Sequence, residues 1–242
     1  MKRSILYGFT VLAIAVCSSG CSKNSSSPTS STGTAPGIPS VTFVGPTTTS
    51  TDTYAELTTS YALSANAYSS AFFAGFAAGS AKDNGGVWTW TVTANGVTVT
   101  FTATKQSDGS YAWKWSVNGT ETGSGVTYNN WTFLNGTSSA DGKSGEWKVY
   151  NDNATTLAAD YVWAAGVNGS VTSETGTLST YDATGSSVTA KLIVINRSDK
   201  TGEVDVYNNA VLVFKATWVA NGSGQWTVYN SEGTQTGTGS WS

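Results

Sequence analysis

From residue 85 to the end of the chain, apolar and hydroxyl-bearing residues alternate. In "VTVTFTAT" (97–104), Val97, Val99, Phe101 and Ala103 fall on one side and four threonines on the other. "YAWKWSV" (111–117) sets Tyr111, Trp113, Trp115 and Val117 against Ala, Lys and Ser. Successive strand side chains point to opposite faces, so a period of two marks a strand with one face buried and one in water. "KLIVI", "VLVFKATW" and "GQWTVYN" continue the pattern. Five Asn-Gly pairs, beginning at Asn95, Asn118, Asn135, Asn168 and Asn221, stand among these runs. Asn-Gly suits a type I′ hairpin turn, whose two central residues both need positive φ. No proline follows Pro46 to interrupt a ladder. The pattern predicts an all-β body over 85–242, an antiparallel meander of about twelve strands. A sheet that wide exposes its edges, so a closed or half-open barrel is expected.

One segment has a different period. Over 53–79, Leu57, Tyr61, Ala65, Tyr68, Phe72 and Phe76 recur at helical spacing. Thr53 and Glu56 match a capping box. This predicts one N-terminal helix whose aromatic stripe turns to the core and covers the apolar face of the meander. Helix and meander together form a single domain over 53–242.

Upstream, residues 22–52 are rich in Ser, Thr, Pro and Gly and hold all four prolines, Pro28, Pro36, Pro39 and Pro46. Such a stretch buries too little apolar surface to offset its ordering entropy, so 21–52 is expected to be a tether. Only "VTFV" (41–44) could add an edge strand. The first 20 residues read as an export signal: Lys2 and Arg3, an apolar run from Ile5 to Val16, then small residues. That run is too short for a membrane span. "SSGC" (18–21) resembles the lipobox of bacterial lipoproteins, with Ser18 where that family usually has Leu. The resemblance implies cleavage after Gly20 and acylation, palmitate included, of Cys21. With Ser22 next, it also implies an outer-membrane address.

Composition removes several chemistries. The chain has no histidine, which excludes Ser-His-Asp and Cys-His systems and histidine metal sites. Cys17 and Cys21 are its only cysteines, so the mature body has none for a disulfide or a metal, and no cofactor is implied. With 12 basic against 15 acidic residues it lacks the basic footprint that nucleic acid requires. Glu146, Asp160, Glu203 and Asp205 could in principle supply the carboxylate pair of a glycosidase. The strand period instead places Glu146 opposite Trp147, and Asp205 opposite Val204 and Val206, on the solvated side. "RSDKTGEVD" (197–205) lacks the ligand order of a calcium loop and reads as a polar turn.

An octapeptide recurs as "SGEWKVYN" (144–151), "TGEVDVYN" (201–208) and "SGQWTVYN" (223–230). Its Gly reads as a turn exit, its Trp or Val and the next Val as core, and its Tyr as outward. Trp115, Trp131, Trp147 and Trp163 add a second echo at 16-residue spacing. "DGKSGEWKVYNDN" (141–153) and "GSGQWTVYNSEGTQTGTGSW" (222–241) resemble MORN-type hairpin repeats, which implies an interaction role for the meander. The ten tryptophans are read as core or as an aromatic platform. The sequence thus leads to the expectation of a lipid-anchored, non-catalytic envelope protein, attached to the membrane and open to a protein or glycan partner. The alternatives are a carrier of a lipid or other apolar ligand in a β concavity, then a carbohydrate-binding protein or glycosidase. Candidate ligand contacts are Tyr150, Tyr207, Tyr229, Trp88 and Trp113.

Overall fold

A computed structural model describes residues 34–39, 41–71 and 81–242. The export signal, Cys21, the first part of the expected tether, Phe72 and Phe76 lie outside these residues, as does the Tyr68 side chain. No helix among the described residues is long and apolar enough to cross a membrane.

The expected meander is present as one antiparallel sheet of thirteen strands in chain order. These are β1 (Lys82–Asp83), β2 (Val87–Ala94), β3 (Val97–Lys105), β4 (Tyr111–Thr120), β5 (Thr127–Ser138), β6 (Ser144–Asp152) and β7 (Thr156–Asn168), followed by β8 (Val171–Tyr181), β9 (Val188–Arg197), β10 (Gly202–Asn208), β11 (Val211–Trp218), β12 (Gly224–Tyr229) and β13 (Gln235–Trp241). The sheet is not closed: β1 and β13 are its edges, which gives the half-open form of the expected barrel. Two-residue β1 is the strand beyond the dozen that alternation marks.

The apolar face obeys a rule that the octapeptide only hints at. Gly145, Gly202 and Gly224 follow turns as expected, the last two as the first residues of β10 and β12, but the turn is not what requires a glycine there. Each lies within a strand, directly opposite a tryptophan of the next strand: Trp163, Trp218 and Trp241. A Cβ added to any of the three would sit 2.3, 2.0 or 2.1 Å from that indole, respectively. Gly136 stands in the same way beneath Trp147, and Gly239 beneath Trp226. Glycine here lets a large ring lie flat on the neighbouring backbone. Ring contacts then run from Trp90 through Phe101 and Trp113 to Trp147, Trp163 and Tyr161. Trp147 and Trp163 are almost wholly buried.

A shared backbone irregularity defines the repeat better than the sequence does. Five hairpins carry a β-bulge at the same place, with one extra residue on the returning strand. The extra residues are Phe133, Ala158, Thr189, Val213 and Thr236, and they face the steps Trp115/Ser116, Val149/Tyr150, Thr180/Tyr181, Val206/Tyr207 and Val228/Tyr229. Aligned on the bulge, "GTLSTY" (176–181) is a further copy of Gly-x-x-x-x-Tyr, with Leu178 in place of Trp. The 16-residue tryptophan spacing is not a structural period, because Trp115 aligns with Val149 while Trp147 aligns with Trp113.

The turns depart from the Asn-Gly expectation in an instructive way. Asn95-Gly96 has the two positive φ values of a type I′ turn, 52° and 80°. Asn118-Gly119 and Asn135-Gly136 instead fall inside β4 and β5. The recurrent turn is Asp/Asn-Gly/Lys-Ser/Thr. In it the Oδ1 of Asp108, Asp199 or Asn221 accepts both the backbone N–H and the hydroxyl of Ser110, Thr201 or Ser223. The "RSDKTGEVD" stretch is therefore a hydrogen-bonded turn leading into β10.

Helix α1 (Thr53–Ala71) is capped one residue earlier than expected. Asp52 Oδ1 accepts from Tyr54 N–H at 2.8 Å and Ala55 N–H at 3.2 Å, so Asp52 rather than Thr53 is the N-cap. The helix packs across β8, β9 and β10. Its buried stripe is Ala55, Thr58, Ala62 and Ala65, and Tyr54 stacks on Trp226 with ring centroids 3.8 Å apart. The chain meets the sheet before the helix begins, within the stretch that composition assigns to a tether. Phe43 is completely buried. Its backbone is held by two amide side chains: Asn66 exchanges hydrogen bonds with Phe43 at 2.6 Å each, and Asn196 bonds Val44 at 2.9 and 2.8 Å. Residues 43–44 thus gain ladder-like bonds without becoming a strand.

Candidate interaction face

Opposite the aromatic face, the register sets one polar side chain after another across the sheet. Lys114, Asn135, Lys148, Asp160, Ser179, Lys191 and Tyr207, on consecutive strands β4 to β10, are each directly paired with the next. No pair of them is adjacent in sequence; only the meander makes them a row.

Two lysine–carboxylate groups punctuate this face. On β6, Lys148 Nζ lies 2.7 Å from Glu146 Oε2, and this hydrogen bond holds its ammonium above the usual lysine range. Across from Lys148, Asp160 Oδ1 is buried without a hydrogen-bond partner. Burial, reinforced by the charge of Glu146, pushes the Asp160 carboxyl up to about 6. On β10 and β11, Lys215 donates to Glu203 and, at 3.2 Å, to Asp205. Burial raises the Asp205 carboxyl against the opposing pull of Lys215.

The tyrosines sit beside these charges. Lys191 Nζ lies 4.2 Å from the centroid of the Tyr207 ring, a cation–π contact. Tyr150 is near enough to Lys148 to act on its ammonium. Burial and the charge of Asp160 raise the Tyr181 hydroxyl. Tyr229 holds the same bulge position in β12 and is half-buried.

Of the residues singled out from sequence, the structure brings Tyr150, Tyr207, Glu146, Asp160, Glu203 and Asp205 together on one face. Trp88 and Trp113 are not with them. They are buried on the other face, 5% and 2% exposed, and Trp113 Nε1 donates to Ser138 Oγ. Tyr181, Lys191 and Lys215 escaped the sequence reading. The Gly-x-x-x-x-Tyr spacing from Gly176 could have found Tyr181, whereas Lys191 joins the site only through strand pairing. Among the described residues no three His, Cys, Asp or Glu side chains are grouped to hold a metal ion. No protein-family model matches this chain, and no curated protein is significantly similar to it.

Proposed function

We propose that this chain is a bacterial cell-envelope protein, anchored at the outer membrane through acylated Cys21, whose polar sheet face binds a protein or glycan partner without catalysis. The observation that carries the reading is the placing of Tyr150, Tyr181, Tyr207 and Tyr229 at equivalent bulges, Tyr150 and Tyr181 beside the Lys148–carboxylate group and Tyr207 under Lys191 on the same face. Aromatic rings flanked by charge on rigid strands offer stacking area and hydrogen bonds at little ordering cost. The packing of the tryptophans into mutual ring contacts favours this reading over a carrier cavity. The lysines engaged by Glu146, Glu203 and Asp205 favour it over a glycosidase pair.

The test has two arms on the full-length protein expressed in a bacterial host. Radiolabelled palmitate should enter the wild type and not Cys21→Ser, which should also leave the membrane fraction. Equal partition of both would remove the anchor. For the face, binding to a glycan array and to cross-linked envelope proteins is compared with Tyr181→Ala/Tyr207→Ala, expected to bind about tenfold more weakly. Undiminished binding by that variant would move the site off this face.

A further inference from the structure

Two inward tryptophans on returning strands each lie between two glycines. Trp163 is paired with Gly145 on β6 and Gly176 on β8, and Trp218 with Gly202 on β10 and Gly224 on β12. Trp241 on β13 has Gly224 on one side, and among the described residues no strand on the other. Of the devices that natural sheets use to keep an edge from pairing, β13 has only its bulge at Thr236 and, at its end, a hydrogen bond from Thr48 Oγ1 to the Ser242 carbonyl at 3.1 Å. From Gln235 to Ser242 there is no charge and no proline, and beyond the bulge at Thr236 the strand is regular. At the other end of the sheet β1 is two residues long, both of them charged.

We propose that the free edge of β13 pairs antiparallel with the same edge of a second copy, about a two-fold axis beside Gly239. In that register Trp241 faces Gly237 of the partner copy and Thr238 faces its Ser240. Trp241 thereby gains the second glycine that Trp163 and Trp218 already have, and the outer pair Thr227–Thr238 continues into Ser240 of the partner copy. Self-pairing is favoured over a charged foreign strand because every residue of this edge is neutral, so no like charges oppose in an isologous contact. A single short ladder buries well under the roughly 1,200 Å² of a standard interface, so the dimer should be weak, with a dissociation constant on the order of 10–100 μM.

The experiment is sedimentation equilibrium of the full chain over a concentration series reaching several times that range. Thr238→Lys/Ser240→Lys and Thr238→Glu/Ser240→Glu place like charges opposite one another at exposed positions of the outer face. Circular dichroism confirms that both variants fold. The wild type should dimerise, each charged variant should be monomeric, and an equimolar mixture of the two should dimerise at least as tightly as the wild type. A monomeric wild type, which would leave the edge to another protein's strand or to none, overturns the proposal. So does a dimer that persists in both charged variants, or a mixture that stays monomeric.

Discussion

Phe43 lies on Gly176. A Cβ at that glycine would be 2.6 Å from the phenyl ring, the same intimacy that Gly145 shows with Trp163. In the bulge-aligned hairpins, the residue opposite this glycine is Trp163, Trp218 or Trp241, but opposite Gly176 it is Val194. The β8–β9 hairpin thus lacks its own ring, and the segment before the helix supplies one. Two amides, Asn66 and Asn196, then hold that segment in place.

This substitution of one ring for another predicts a rescue. Phe43→Ala should cost about 3 kcal/mol in urea denaturation, the usual loss for a fully buried phenylalanine. Val194→Trp in the wild type should overpack the site and also destabilise. Combined, the two changes should lose less than their sum, because the indole at 194 can fill the space above Gly176. Additive losses would mean that Phe43 does not occupy the missing tryptophan's place.

The glycines themselves can be sorted by what lies over them. Gly202→Ala and Gly224→Ala each drive a methyl into an indole and should destabilise by about 1–3 kcal/mol or more. Gly123→Ala is the control, since nothing lies within 4 Å of a Cβ there and its φ is not positive. That change should leave the denaturation midpoint unchanged or raise it slightly.

What the sequence disclosed and what it concealed follow from the same physics. Alternation is local, so the meander and its inner face are legible from runs such as "VTVTFTAT". A glycine beside a turn also looks local, so Gly145 reads as a turn residue, although its reason is Trp163 on the returning strand. "GTLSTY" is hidden because Leu178 and Thr180 replace the expected Trp and Val, so that only Gly176, Tyr181 and the backbone bulge persist. Phe43 is hidden in a Ser/Thr/Pro-rich stretch because one buried ring and two amide clasps do not alter composition. Of the candidate face, Tyr150, Tyr207 and Tyr229 were legible from their phase. Their company was not, because pairing sets Lys191 beside Tyr207 and Asp160 beside Lys148 across many residues of sequence.

Asp160 should weaken the fold at neutral pH. Its carboxyl titrates near 6 in the native state, above its unfolded value of 3.8, so the folded form binds the proton more tightly. The stability linked to that proton is fully present below 3.8 and is lost as pH rises through about 6. Asp160→Asn should therefore stabilise the protein at pH 7.5, by about 1 kcal/mol once solvent screening of this half-exposed group is allowed for. At pH 4 it should make little difference. The check is the difference in urea midpoints between variant and wild type across pH 4 to 8, which should grow with pH.

The turn carboxylates titrate with the opposite sign. Hydrogen bonds from Ser110, Ser139, Thr184 and Thr201 hold Asp108, Asp141, Asp182 and Asp199 below the ordinary carboxylate value of 3.8. A depressed native value means that their contribution is intact above 3.8 and disappears as pH falls further. Asn221 performs the same task without a charge, accepting from Ser223 N–H at 3.1 Å and Ser223 Oγ at 2.7 Å. Asp199→Asn should accordingly keep the turn before β10 at pH 7 and lose the acid sensitivity that the wild-type turn shows below pH 3.8. Asp199→Ala should lower the denaturation midpoint at pH 7 as well. Amide hydrogen exchange at Thr201 reads the turn directly: protection should survive in the asparagine variant, fall in the alanine variant, and in the wild type fall only in acid. Equal protection in all three at pH 7 would show that the backbone bonds of Arg197 with Thr201 and Lys200 hold the turn without help from the side chain.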